Sequence, residues 1–475
     1  MFFILVLFLC SVCSGATVIV GEKSADFSTI QYAVNQMGAG DTVFVKEGYY
    51  DERVQCTKNS STDPMVIIGE DSSGTIITGG FSVEGSGYYI KNFTITKGNV
   101  EFEAGADRNR VESCFLDRVD GTALYFRSGS SHNTFGKGKI YKPGNKGCEL
   151  FGSYNTLEYS TIQGPTGQDG RSDSDAIRSN GGDHNVIRGN HIFHIYQVGN
   201  SHADILQFWM GFTHLTIEDN ILGSWDPEGR YDPGNAHIMM ACIEGEPEVD
   251  TLIIRRNIIL GGSVRSFNVN NGQADRDTRL RNVFIYNNLF YTRGYAELEY
   301  MVNLEVKNNI FYCTNDINER PGYRLRGNVD EDVNYNCIYP AGHDEPDGIR
   351  RDPLFVDDNL YRGDFHLTAE SPCIDAGTRV GLEEDMEGAG IVNKPDIGPY
   401  EFVSEATSAD TDMSSLLTIK KVTRGRSFVA GMEPRNLIVD AKTYDVLGRM
   451  MYTKLLNDKN MAPLIMYRMM TDIKK

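Results

Sequence analysis

The chain has 475 residues, 40% of them hydrophobic, and a formal net charge of −19 at neutral pH. It is too long for one small core and well suited to an elongated body with an appendage. The acidic balance argues against a nucleic-acid or anionic-membrane partner, and an acidic polysaccharide would need a cation or a local basic patch to meet it.

Residues Phe2 to Leu9 form an apolar run followed by Ser14-Gly15-Ala16. The pattern reads as a signal peptide, residues 1–16, cleaved near Ala16; the run is too short to span a bilayer. It lacks the usual basic residues at its start. Cys10-Ser11-Val12 before Cys13 is a poor lipoprotein signal. Beyond the leader, seven cysteines remain, an odd number with no CxxC spacing, which argues against a disulfide framework or a zinc site. Cys114 and Cys337 fall where a small buried hydrophobe is expected.

Thr17 to Val20 reads as a strand. Ile30, Ala33, Val34 and Met37 then recur at helical spacing, with Ser28 as the expected N-cap and Gly38 as the stop. Thr42–Val45 and Met65–Ile68 are strand-like. A phrase of an aliphatic residue, two polar residues and Asn (or a small substitute) follows repeatedly. It occurs at Ile187-Arg188-Gly189-Asn190, Ile217-Glu218-Asp219-Asn220, Ile254-Arg255-Arg256-Asn257, Ile285-Tyr286-Asn287-Asn288, Val306-Lys307-Asn308-Asn309 and Val333-Asn334-Tyr335-Asn336. Looser copies start at Ile90, Val111, Phe135 and Leu157. A repeat of this period means a solenoid whose units share one core. Asn at one place per unit suits a turn ladder, so these Asn residues are assigned to scaffold.

The opening Asp26-Phe27-Ser28-Thr29-Ile30-Gln31, then Gly40-Asp41-Thr42-Val43 and Lys46-Glu47-Gly48-Tyr49-Tyr50, resembles the start of the right-handed parallel β-helix proteins of the pectate-lyase superfamily. The resemblance runs over residues 17–402. It implies an all-β solenoid with a short N-terminal capping helix, and it spans lyases, glycoside hydrolases, epimerases, esterases and proteins without activity. Asp352-Pro353-Leu354-Phe355, Ser371-Pro372-Cys373 and Asp396-Ile397-Gly398-Pro399-Tyr400-Glu401-Phe402 look like the closing segment of such a coil, expected to cap it. Residues 403–415 read as a linker. Residues 416–475 resemble a degenerate C-terminal sorting β module, through Tyr444-Asp445-Val446-Leu447-Gly448-Arg449, which implies contact with secretion machinery and a secreted or cell-surface location.

The aliphatic positions 90, 111, 135 and 157 lie 21–24 residues apart, whereas 157, 187, 217, 254 and 285 lie 30–37 apart. Extra residues in a stacked repeat must leave the core as loops, and adjacent loops form a wall where a site can be built. Those long units hold the densest polar cluster, from Gln168 to Arg178, followed by Asp183-His184 and His202-Ala203-Asp204-Ile205-Leu206-Gln207-Phe208-Trp209. Asp175 and Asp204 are one long unit apart, so they are expected to stack about 4.8 Å apart in backbone. The His-x-Asp-x-x-Gln phrase is similar to one in carbohydrate-active β-helices, where Asp and Gln face the substrate groove.

The leading expectation is a monomeric polysaccharide lyase acting on a uronate-containing glycan. Asp169, Asp173, Asp175 and Asp204 would supply oxygens to Ca²⁺. Arg178, Arg188 or His202 would handle protons or substrate charge, with Gln207 and Trp209 contacting sugar. Two readings stay open beside it: a glycoside hydrolase using Asp175 and Asp204, with or without Asp173, as acid and base, and a non-catalytic carbohydrate-binding protein. Glu244-Gly245-Glu246-Pro247-Glu248 reads as a solvated loop and His237 as a rim residue. No P-loop, dinucleotide fingerprint or Ser/His/Asp spacing is present, nor are the Asn-Thr-Asp and Gly-His-Gly phrases of polygalacturonases or the Asp-Pro-His-Asp of mannuronan epimerases.

Overall fold

A computed structural model describes residues 15–165, 174–195, 203–209, 211–223, 236–241, 249–261, 265–270, 280–292, 295–313, 322–340, 345–360 and 363–403. The chain divides into two units, Met1–Phe402 and Val403–Lys475. The expected linker and sorting module therefore lie almost wholly outside the described residues, as does the leader up to residue 14.

Among the described residues three long sheets carry the first unit. Sheet A has thirteen strands, from Thr17–Val20 to Val329–Asn334; sheet B has twelve, from Gly48–Tyr50 to Cys337–Tyr339; sheet C has eleven, from Arg53–Cys56 to Tyr323–Arg326. Every coil runs A to B to C and then enters sheet A of the next coil. All neighbouring strands within these sheets are parallel, as in Val111↔Phe135↔Leu157↔Ile187↔Ile217. This is a right-handed parallel β-helix.

Strand residues alternate, so every second one points inward and joins a column repeated coil after coil. Ile187, Ile217, Ile254, Ile285 and Val306 form one such column, all fully buried. Burial of each such side chain contributes about 1.5–3 kcal/mol. Aromatic residues stack in the inward columns of the other two sheets: Phe102 on Phe126 in sheet C and Phe290 on Phe311 in sheet B, both at 4.9 Å. Cys114 and Cys337 take inward places, as small hydrophobes do.

The corners explain the repeated phrase. After the last inward aliphatic residue of sheet A, one residue points out and the next adopts a left-handed conformation: Lys91 then Asn92 (φ 63), Glu218 then Asp219 (φ 58), Arg255 then Arg256 (φ 51). Asn and Asp enter that region readily, and other side chains cost about 1 kcal/mol there. Gly189 (φ 63) meets the same need with no Cβ. The next residue turns inward, and from coil to coil it forms the ladder. Asn257 Oδ1 accepts the Asn220 N–H at 3.0 Å, while Asn257 Nδ2 donates to Ile217 O and to Asn288 Oδ1, both at 2.9 Å. The pattern repeats from Asn190 to Asn336, where Glu345 takes the final Asn336 N–H.

A second ladder lies one corner earlier, between sheets C and A. Asn109, Asn133, Asn155 and Asn185 each accept the N–H of the preceding coil's equivalent residue at 2.9–3.1 Å. It serves the early coils, in which the first ladder's place is held by Phe93, Cys114, Gly138 and Ser160. The two ladders meet in one coil, at Asn185 and Asn190.

The expected N-terminal helix is present at Ile30–Gln36, burying Ile30, Ala33 and Val34 against the first coils. Its N-cap is Thr29 rather than Ser28, and no cap side chain bonds it. The Glu52 carboxylate from the coil beneath accepts the Ile30 and Gln31 N–H groups instead, both at 2.8 Å; tertiary packing supplies the cap that the local sequence does not.

The closing segment does more than cover the end. Ile349 bridges to the last strand of sheet B. The chain then runs back beside earlier coils: Tyr291 Oη donates to Asp358 O at 2.7 Å, and Asn287 Nδ2 donates to Asp396 O and Gly398 O. His366 stacks on Tyr400 at 4.0 Å between Asp364 and Glu387. Burial opposes its charge, but the two carboxylates prevail and raise its pKa from 6.5 to about 9. Burial, reinforced by Asp396 and Asp385, raises Glu401 from 4.5 to about 7.

Two predictions follow from this framework. Asn257→Ala leaves the buried Asn220 N–H and Ile217 carbonyl without partners, and is expected to lower unfolding free energy by about 2–4 kcal/mol in chemical denaturation; an unchanged midpoint would contradict the ladder's role. The pH dependence of the closing segment has a definite sign. The His366 contribution is complete below pH 6.5 and is lost as pH rises through 9, and the Glu401 contribution is complete below 4.5 and lost through 7. Amide-exchange protection of residues 363–402 should therefore fall from about pH 5 to about pH 9.5, and His366→Gln should remove the alkaline part of the fall.

Candidate functional site on sheet C

The long coils lengthen chiefly between sheets B and C. The segments leading into the strands Ile177–Ser179, Asp204–Trp209 and Ala236–Ala241 are successive in the stack, and most of their residues lie outside the description. Those three strands lie in the middle of sheet C.

At its entry edge, Asp175 and Asp204 occupy equivalent places in adjacent coils, and both are fully buried. Asp175 Oδ1 accepts the Asp204 N–H at 3.0 Å, and Asp204 Oδ2 accepts from Gln207 Nε2 at 3.1 Å. Lys146, also buried, stands at the equivalent place one coil before, with its ammonium 3.6 Å from Glu149. The expected stacking of the two carboxylates is present, but they point into the corner rather than at solvent.

Outward from the sheet, Glu149, Arg178, Gln207 and Met239 follow one another in register. Arg178 is half-buried. Gln207 is 3% exposed, and among the described residues its Oε1 has no hydrogen-bond partner. An amide polarised by Asp204 on one side, with an unmatched acceptor on the other, is uncommon in scaffold.

His237 follows Ile205 in register and is 2% exposed, so it is no rim residue. Its Nε2 donates to Leu260 O at 2.7 Å and its Nδ1 has no partner. Burial lowers its pKa to about 4 against the opposing pull of the Leu260 carbonyl and Asp204, so the ring is neutral. A Cβ on Gly261 would collide with it, which is why that position has none. The sequence offered no signal for this contact, because the glycine and the histidine belong to different coils.

Arg188 is not part of the group. It projects from sheet A, where Nη2 and Nε meet Glu158 Oε2 at 2.6 and 3.0 Å. Glu158 also receives Arg110 at 2.8 Å, and Arg255 pairs with Glu218 at 2.6 Å in the coils above. Those charges satisfy one another along the outside of sheet A. Of the remaining expected site residues, His202, Asp169 and Asp173 lie outside the described residues, as does the run Glu244–Glu248. Trp209 ends the strand Asp204–Trp209, but its side chain is not among those described.

No protein-family model and no curated protein matches the chain. Solved structures do resemble it. XylC in complex with xylose aligns over 82% of this chain and 98% of its own with 11% identity and a TM-score of 0.50. The pectate lyase Pel9A aligns over 82% and 98% with 15% identity and a TM-score of 0.49. A rhamnogalacturonan lyase aligns over 83% and 98% with 12% identity and a TM-score of 0.40. At such identities the likeness is one of architecture. The fold is a right-handed parallel β-helix.

Proposed function

We propose that the chain is an exported, carbohydrate-active β-helix protein that cleaves a uronate-containing polysaccharide by β-elimination, with sheet C as the floor of its groove. The observation that carries this reading is the pairing in register of half-buried Arg178 with Gln207, whose amide oxygen is unmatched, in the coils where the connections into sheet C lengthen. A guanidinium there would bind the uronate carboxylate and stabilise the charge that develops as the α-proton leaves. The Gln207 Oε1 would accept a sugar hydroxyl. His202, which precedes the strand Asp204–Trp209, is the proposed base, and Trp209 a proposed sugar contact.

Asp175 and Asp204 take a different part from the one first expected. Buried and bonded to the backbone and to Gln207, they position the groove floor and do not touch substrate. The same burial argues against the hydrolase reading, which needs two carboxylates open to the glycosidic bond. Ca²⁺ takes six to eight oxygens. Among the described residues Asp175 and Asp204 are the carboxylates at this corner, and each already accepts a hydrogen bond. They do not make that shell, so no step is assigned to a metal; Asp169 and Asp173 remain the proposed additional ligands. Export rests on residues 1–16, and contact with secretion machinery on residues 416–475. Among the described residues no helix is long and apolar enough to cross a membrane.

Purified protein offered pectate, alginate and glycosaminoglycans should release products with the ultraviolet absorbance of an unsaturated uronate. New reducing ends without that absorbance would favour hydrolysis, and binding without either would favour a non-catalytic role. Arg178→Ala should lower kcat/KM by about 100-fold or more, while Arg188→Ala should leave it within about threefold, since Arg188 pairs with Glu158 on sheet A and Glu158 keeps Arg110. Asp175→Asn keeps the acceptor for Asp204 and should be milder than Asp175→Ala in both stability and activity.

A further inference from the structure

A cluster outside the groove floor arises where sheet C passes into sheet A. Five successive coils turn this corner through a left-handed residue, Arg108, His132, Tyr154, His184 and His214, with φ between 50 and 57. The last four place their rings in a column, with centroids 4.9, 4.7 and 4.1 Å apart and planes within 15°. Because the rings stack face to face, the column offers edges, not faces, to solvent. It is not a sugar platform.

Those edges carry donors. Asp183 Oδ1 lies 2.8 Å from His184 Nδ1 and 3.1 Å from His214 Nδ1, and the three donor atoms lie within 4.8 Å of one another. Both rings present Nδ1 to the carboxylate. The side chains of His184 and His214 are 44% and 47% exposed, so one side of the cluster is open to water.

The same corner three coils earlier differs at one residue. Asp107 Oδ1 accepts from Ser131 Oγ and meets His132 Nδ1 at 3.1 Å, just as Asp183 Oδ1 accepts from Thr213 Oγ1 and meets His214. There the residue after the aspartate is Arg108, whose Nη1 sits 2.8 Å from Asp107 Oδ2 and supplies positive charge directly. After Asp183 the residue is His184, which brings a lone-pair donor in place of a fixed cation. The substitution turns an ion pair into a ligand set.

We propose that Asp183, His184 and His214 bind one divalent transition-metal ion of the zinc class, with the remaining positions open to solvent. Two imidazoles and one carboxylate suit zinc, nickel or copper and do not suit calcium, which prefers oxygen alone. Ligands about 2.0–2.2 Å from such an ion stand about 3–3.5 Å apart; the two Asp183–histidine spacings are close to this, and the two stacked rings would turn about their Cβ–Cγ bonds to aim both Nδ1 lone pairs at the ion. The ion would tie together two coils of sheet A at the exit edge of sheet C. The inference is independent of the reaction catalysed.

The test is zinc binding to the full chain, by titration calorimetry and by the visible spectrum of the cobalt-substituted protein. The parent and His132→Gln should each bind one equivalent at this site, resistant to excess calcium. His184→Gln and His214→Gln should each weaken it by at least about tenfold, with far-ultraviolet circular dichroism unchanged in chelator. Zinc bound equally well by those two variants and the parent, or no zinc bound by the parent, overturns the proposal.

Discussion

Every coil must turn three corners within a closed stack, and each turn leaves backbone N–H and C=O groups facing an apolar interior. An unmatched buried group costs about 1–3 kcal/mol, so a long β-helix needs a repeating partner at its corners. Asparagine is suited to that task because one amide both accepts and donates. Asn220 accepts from the Asn190 backbone and amide while its own Nδ2 reaches Asn257 Oδ1 and Ile187 O. The bond pattern can therefore propagate without limit, and the left-handed residue before each Asn is the conformational cost that the ladder offsets.

The third corner shows what happens when the partner is not asparagine. An aspartate side chain has no amide donor, so it does not reproduce the asparagine pattern of one bond accepted and one donated. Asp175 accepts the Asp204 N–H, and Asp204 turns aside to accept from Gln207. Two buried carboxylates in adjacent coils are costly, and their desolvation is seldom fully offset. Nothing in the scaffold requires them, since the coils before and after manage this corner with Lys146 and Ala236. Their effect is local: they fix the start of two strands whose outward residues are Arg178 and Gln207.

Much of the fold was legible because its corners repeat in sequence. The phrase from Ile187 to Asn190 encodes an inward side chain, an outward one, a left-handed turn and a ladder residue, each with its own residue preference. The earlier ladder was missed although Asn109, Asn133, Asn155 and Asn185 each stand two residues before the aliphatic position. Their signal precedes the repeat phrase instead of lying within it. The stacking of Asp175 on Asp204 followed from spacing alone, but their burial did not, because inward and outward senses at a corner depend on where the strand begins. Arg188 and Arg178 look alike in sequence. They differ in sheet, and only the register reveals that one faces Glu158 and the other Gln207.

Sheets A and C also differ in how they hold charge. On sheet A the outward column matches Arg188 and Arg110 to Glu158 and Arg255 to Glu218, so its charges are used within the scaffold. Sheet C is bounded differently in two successive coils. The coil with the strand Ile177–Ser179 enters through Asp175 and leaves through Asp183 and His184. The next enters through Asp204 and leaves through His214. A solenoid gains nothing in stability by placing carboxylates and imidazoles at both edges of one face in the same two coils, where an asparagine at each corner would satisfy the backbone. The coincidence of those groups with the lengthened connections marks this face as the place where the sequence departs from what the coil alone requires.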